Sequence, residues 1–343
     1  MLMRTLTLLT ALVLLIVFAG CNREPSAADG GGGGEVVLYT SVDEPFARPI
    51  IAKFEQRTGV KVLLKTDTEA TKSVGLAARL EAEKDNPQAD VWWGNEVFHT
   101  INLAERGVLA AYASPSAERI PALYKDAENR WAGTALRARV IARTLHDGGA
   151  SATASITSIL DLTNPALKGK VCMARPTAGT TGGHVAAIYT HLGPVKAEAF
   201  FRELKANDVK LLGGNSVVAE YVGLGQLWAG LTDNDDVDSM LREKGRLEMV
   251  LPDQGENQFG TLTIPCTVGL VAKAKRPDAG QKLIDYLLSA EVEKMLLDAK
   301  FARYSVFGEG AERVKAMPVK STDVAKNLKP AVEMTTRVLE GRE

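Results

Sequence analysis

Apolar and polar positions along this chain follow two alternating periods. Residues 5–18 are almost continuously apolar, between the short basic start Met1–Arg4 and the small residues Ala19 and Gly20 before Cys21. This is the layout of a secretory signal over residues 1–20, and the run is too short for a spanning helix. Residues 35–41 (EVVLYTS) read as a buried strand, and 49–57 place Ile50, Ile51 and Phe54 at helical spacing before Thr58-Gly59. Strand 60–64, helix 71–84 (Val74, Leu76, Ala77 and Leu80 inward), strand 89–93, helix 100–106 and strand 137–142 follow. After 156–162 the alternation restarts: strand 170–173, helices 183–191 and 196–207, strand 210–212, strand 261–272, then helices 279–289 and 291–300.

Strands alternating with helices predict an α/β fold, with mostly parallel sheets covered by helices. The restart predicts two lobes: an N-lobe over 35–143, to which 265–300 return, and a C-lobe over 144–264, with 301–343 as a helical tail. A chain that builds one lobe, then a second, and returns leaves a cleft between them, where ligands bind. Ligands of such sheets sit beyond the strands' carboxyl ends. Three ends qualify: Thr40-Ser41-Val42-Asp43, Gly94-Asn95-Glu96, and the acidic run after Leu231.

The sequence Phe18-Ala19-Gly20-Cys21 has the form of a bacterial lipobox that would leave a lipid on Cys21, and the Gly-rich residues 21–34 form a flexible tether. The alternative is plain cleavage and release. A net charge of −1 argues against nucleic acid as a partner. Cys172 and Cys266 read either as two buried thiols or as a disulfide of the exported protein, which would add about 4–5 kcal/mol in the chain-entropy view.

Asp233, Asp235, Asp236 and Asp238 fall within six positions. Crowded carboxylates repel one another, so a cation, a donor-rich solute or a helix N-terminus must relieve them. An EF-hand is excluded, because Asp238 stands where glycine is needed and Lys244 where the bidentate glutamate belongs. Pro176–Gly183 (PTAGTTGG) and Gly213-Gly-Asn-Ser216 both open helices and offer anion seats, without a Walker spacing. Trp92 and Trp93 read as core or as pocket wall. Arg137 and Arg139, on one strand face, read as exposed charge or as contacts to an anionic ligand. His184 and His191 read as structural. A metal-dependent hydrolase finds no nucleophile elbow and no zinc spacing to support it.

The ordered segments YTSVDEPFARPIIAKFEQRTGVKV, ADVWWGNE, LAERGVL, KGKVCMARPTAGTTGG, GGNSVVAEYVGLGQLWAGLTDNDD and VGLVAKAKRPDAGQKLIDYLLSAEVEKML resemble the extracellular solute-binding proteins of bacterial ABC importers. Across residues 36–304 the ferric-iron-binding branch is the nearest in pattern. The resemblance implies a two-lobed type II periplasmic-binding-protein architecture. It also implies a monomeric receptor that performs no chemistry, requires no cofactor, touches the membrane only through its lipid and delivers its ligand to a permease. Ferric-binding members hold iron with two adjacent tyrosines, a histidine and a glutamate. Those positions carry Asp235 and Asp236, Asp43, and Asn95 or Glu96 here, so coordination by that phenolate pair is not available. The family's anion turn falls on Pro176–Thr180 and its asparagine on Asn215. The implied cargo is a ferric ion or another hard cation with a phosphate- or carbonate-like anion, held by Asp43, Glu96, Asp235 and Asp236. Thr40, Ser41, Asn95, Thr177, Gly179, Thr180, Thr181, Asn215, Ser216 and Asp233 complete the expected ligand-binding set. The alternative cargo is an anionic organic solute such as a sugar phosphate or phosphonate.

Overall fold

A computed structural model describes residues 34–67, 74–177, 179–308 and 313–341. The expected signal peptide, Cys21 and the tether lie outside the described residues.

Strands β1 (Glu35–Thr40), β2 (Lys61–Thr66) and β3 (Val91–Gly94) are parallel, with β1 central. Between them run the helices α1 (Glu44–Thr58) and α2 (Val74–Ala82). Helix α1 starts where Pro45 occupies the first turn and ends at Gly59, whose φ of 69° allows its N–H to reach the Glu55 carbonyl. Ala47, Ile50, Ile51 and Phe54 form its buried stripe. Helix α3 (Phe98–Glu105) and the short β4 (Leu109–Ala110) lead to the long β5 (Ala132–Thr144).

Strand β5 is the shared element. Its first half pairs antiparallel with β10 (Thr263–Val271) and with β11 (Tyr304–Ser305). Its second half pairs antiparallel with β8 (Ala229–Asp233) and β9 (Leu247–Val250). Strand β8 continues in parallel to β6 (Val171–Ala174) and then β7 (Lys210–Leu212). The hydrogen-bonded order is therefore β2-β1-β3-β10-β5-β8-β6-β7. The α/β class is as expected, with parallel pairing in the outer strands and the antiparallel β10–β5 pair between them.

Short α4 (Gly149–Thr153) precedes β6, and α5 (Thr180–Leu192), α6 (Pro194–Ala206), α7 (Asn215–Gly223) and α8 (Asn234–Arg242) surround the second group of strands. Helices α9 (Pro277–Leu287) and α10 (Ala290–Asp298) return to the first group, with α9 packing on β10 and α10 contacting α1. The terminal α11 (Ser321–Glu340) buries Val324, Leu328, Ala331, Met334 and Val338 against α5 and α6. It also reaches α3, where Asn102 Nδ2 donates to the Ala325 carbonyl at 3.2 Å. Helices α3 and α5 meet at Gly183, where any Cβ would lie 2.4 Å from the Phe98 ring. The site elements α3, α5, α7 and α8 all begin at strand ends.

Candidate functional site

Residues two apart on a strand share a face, so β5 presents Arg137 and Arg139 together. Asp233, the last residue of β8, pairs in register with Arg139. Arg139 Nη1 donates to Asp233 Oδ1 at 2.8 Å, and Arg137 Nη2 donates to Asp233 Oδ2 at 3.1 Å and to Asp235 Oδ1 at 2.5 Å. Thr180, which opens α5, donates its hydroxyl to Asp233 Oδ2 at 2.5 Å and accepts from Arg139 and Asn215, each at 3.0 Å. Thr181 donates to Asn215 Oδ1 at 2.9 Å, and Asn215 Nδ2 also reaches Asp233 at 3.3 Å. His184 Nδ1 accepts from Arg139 Nε at 3.3 Å.

This network is buried: Arg139 is 0 % exposed and Arg137 1 %. The expectation of exposed charge at these two arginines is overturned. Their burial is tolerated because each guanidinium meets a carboxylate in charge-assisted bonds. Burial by itself would push the Asp233 carboxyl up, but the Arg137 and Arg139 charges reverse this and hold it well below the usual carboxylate range. His184 is held well below its usual range by burial and by Arg139.

Asp235 and Asp236 turn to a groove of about 380 Å³ whose other wall carries Asp43 and Phe46 at the start of α1. Ser216, Glu220 and Glu243 also line it. Asp43 is shared with a second cavity of about 220 Å³, lined by Thr40, Ser41, Glu44 and Asp67. Carboxylate oxygens of Asp233, Asp235 and Asp236 lie within 4.8 Å of one another. Asp236 also serves its helix, because its Oδ2 accepts from the Asp233 N–H at 3.4 Å and the Thr232 hydroxyl at 3.0 Å. Asp238 stands apart, 3.7 Å from Arg303 and 3.9 Å from Lys300.

Other expected residues fall elsewhere. Thr177 and Gly179 line a separate cavity of about 630 Å³ between α2, α3 and α11. The Thr40 hydroxyl donates to the Trp93 carbonyl at 2.8 Å, and Ser41 donates to Asn95 Oδ1 at 3.0 Å. Glu96, expected beside Asp43, is 1 % exposed and caps α3. It accepts from the N–H groups of Phe98 and His99, at 2.5 and 3.0 Å, and from His99 Nδ1 at 2.9 Å. It lines neither the groove nor the cavity beside it. The Glu96–His99 pair was missed because a histidine one turn from a glutamate carries no distinctive spacing. Trp92 and Trp93 are core residues.

Cys172 on β6 and Cys266 on β10 are free buried thiols, so the disulfide reading is corrected. Burial pushes both up, Cys266 to about 12. Iodoacetamide should label neither in the native domain 35–343 and both in urea, as read by intact mass.

Residues 36–301 match the family of bacterial extracellular solute-binding proteins. The chain belongs to this family. Such proteins serve ABC-type importers and hand their ligand to a permease. Iron uptake protein A1 of Synechocystis is 23 % identical over 301 residues, covering 84 % of this chain and 82 % of its own. Apo ferric ion-binding protein A of Pasteurella haemolytica superposes with a TM-score of 0.77 at 25 % identity, over 89 % of this chain and 98 % of that one. AfuA of Actinobacillus pleuropneumoniae, bound to fructose-6-phosphate, superposes with a TM-score of 0.76 at 22 % identity, over 90 % and 99 %. Solute-binding proteins of this fold thus include ones named for metal and for sugar phosphate.

Proposed function

We propose that this solute-binding protein captures ferric iron, or another hard cation, together with a small anion, and delivers it to its permease. A lipid on Cys21 would tether it to the cell envelope, with residues 22–34 as the flexible link. The reading is carried by the chemistry of the groove wall. Asp43, Glu220, Asp235, Asp236 and Glu243 line it, and among the described residues no lysine, arginine or histidine does. Oxygen ligands of this kind suit hard cations. The companion anion is assigned to the start of α7, where Ser216 lines the groove and first-turn N–H groups favour negative charge. Relatives named for iron uptake and ferric binding support the same cargo.

A sugar phosphate or phosphonate is the second reading. It is favoured by the fold shared with AfuA and by the aspartates, rather than tyrosines, at 235 and 236. The acidic wall disfavours a bare phosphate ester.

Thermal unfolding of the domain 35–343 separates the two. Ferric nitrilotriacetate with phosphate at 100 times its dissociation constant should stabilise the fold by about 2.7 kcal/mol. Stabilisation by fructose-6-phosphate or a phosphonate, with none by ferric, manganese or calcium ions, would reject the cation reading.

A further inference from the structure

The two carboxylates that Arg137 touches are placed differently. Asp233 accepts from Arg137, Arg139, Thr180 and Asn215 and lies off the groove, as the anchor of the buried network. Asp235 lines the groove, and Arg137 Nη2 holds its Oδ1 at 2.5 Å. We propose that Arg137 is a tethered competitor for the captured cation: its guanidinium occupies Asp235 when no cargo is bound, and the cargo gains that carboxylate only by displacing it. This inference rests on the cation reading above.

The chemistry follows from what surrounds the fork. A carboxylate oxygen in a charge-assisted bond to a guanidinium gives a metal less electron density, and a fixed positive charge beside it opposes a second one. Release from Asp235 leaves Arg137 well placed. It keeps Asp233, its guanidinium carbon sits 4.8 Å from the centre of the Phe301 ring, and Nη1 is 3.5 Å from the Asn95 carbonyl. Its Nε is buried with no hydrogen-bond partner among the described residues, so the present arrangement does not use the whole fork. Displacement therefore exchanges one bond without stripping a buried charge. The bond given up is the same whichever cation arrives, and the retained guanidinium charge repels all of them, so the device lowers the affinity for every cation. A lysine would do this poorly, since a single ammonium lacks the planar guanidinium that lies over the Phe301 ring while Nη1 reaches the Asn95 carbonyl.

The test titrates the mature chain with ferric nitrilotriacetate and, separately, with Mn²⁺, by calorimetry. Arg137→Gln should bind both ions more tightly, Mn²⁺ about tenfold or more, about 1.4 kcal/mol. Arg137→Lys should fall between. A folded Arg137→Gln protein that binds Mn²⁺ no better than wild type overturns the proposal. If that variant does not fold, the ¹⁵N guanidinium resonances of the wild type decide. On adding diamagnetic Ga³⁺ the Arg137 signal shifts if the bond to Asp235 is broken, and a stationary signal overturns the proposal. Wild type that binds neither ion rejects the cation reading itself, a result distinct from unchanged binding in the variant.

Discussion

Arg139→Met is expected to lower the free energy of unfolding by about 3–5 kcal/mol, because it leaves a buried carboxylate without its in-register partner. Arg139 donates to Asp233 at 2.8 Å, to Thr180 at 3.0 Å and to His184 at 3.3 Å, so one truncation removes three interactions from a sealed region. Urea unfolding of the domain 35–343 measures the loss. The double variant Arg139→Met with Asp233→Asn should recover part of it, since an unpaired buried charge costs more than a neutral pair.

The same network fixes the sign of the acid response. The Asp233 carboxyl is depressed in the fold, so its contribution is complete above the unfolded value of about 3.9 and is lost as pH falls below it. His184 is depressed too, so the unfolded chain takes up its proton first and stability declines from about pH 6.5 downward. Asp233→Asn should shrink the lower of these two phases, to which the depressed Asp126 also contributes, and retain the upper.

Asp235→Asn with Asp236→Asn should weaken ferric binding at least about 100-fold, equivalent to about 2.7 kcal/mol. The pair supplies two charged groove oxygens at the start of α8, and the amides keep the shape while removing both charges. Asp236 also caps α8, so the melting temperature must be read beside the affinity. Asp238→Asn is the control: that residue lies off the groove, beside Lys300 and Arg303, and its loss should leave affinity unchanged. Equal affinity in the double variant would place the cargo away from α8.

Much of the architecture was legible because it rests on local periodicity. Ile50, Ile51 and Phe54 had to share a helix face, and the β-rich run at 35–41 had to be a strand. What escaped was pairing set by distant partners. Strand β9 (Leu247–Val250) has a half-polar pattern and forms because the second half of β5 offers it an edge. Helix α8 begins at Asn234, directly after β8, because Asp233 and Asp236 provide the N-terminal signals of that turn.

By itself the sequence determined the α/β class, the family pattern, and the places where acidic and hydroxyl residues gather at strand ends. These follow from chemistry within a few positions of each residue. Only the tertiary structure decided how those charges are used. It turned Arg137 and Arg139 inward onto Asp233 and Asp235, drew Glu96 into the cap of α3, kept Cys172 and Cys266 apart, and left Asp43, Asp235 and Asp236 on one groove. The reason is physical. The partner that makes a buried charge tolerable lies some 95 residues away (Arg137 to Asp233 spans 96), a proximity that sheet register creates and no local pattern encodes.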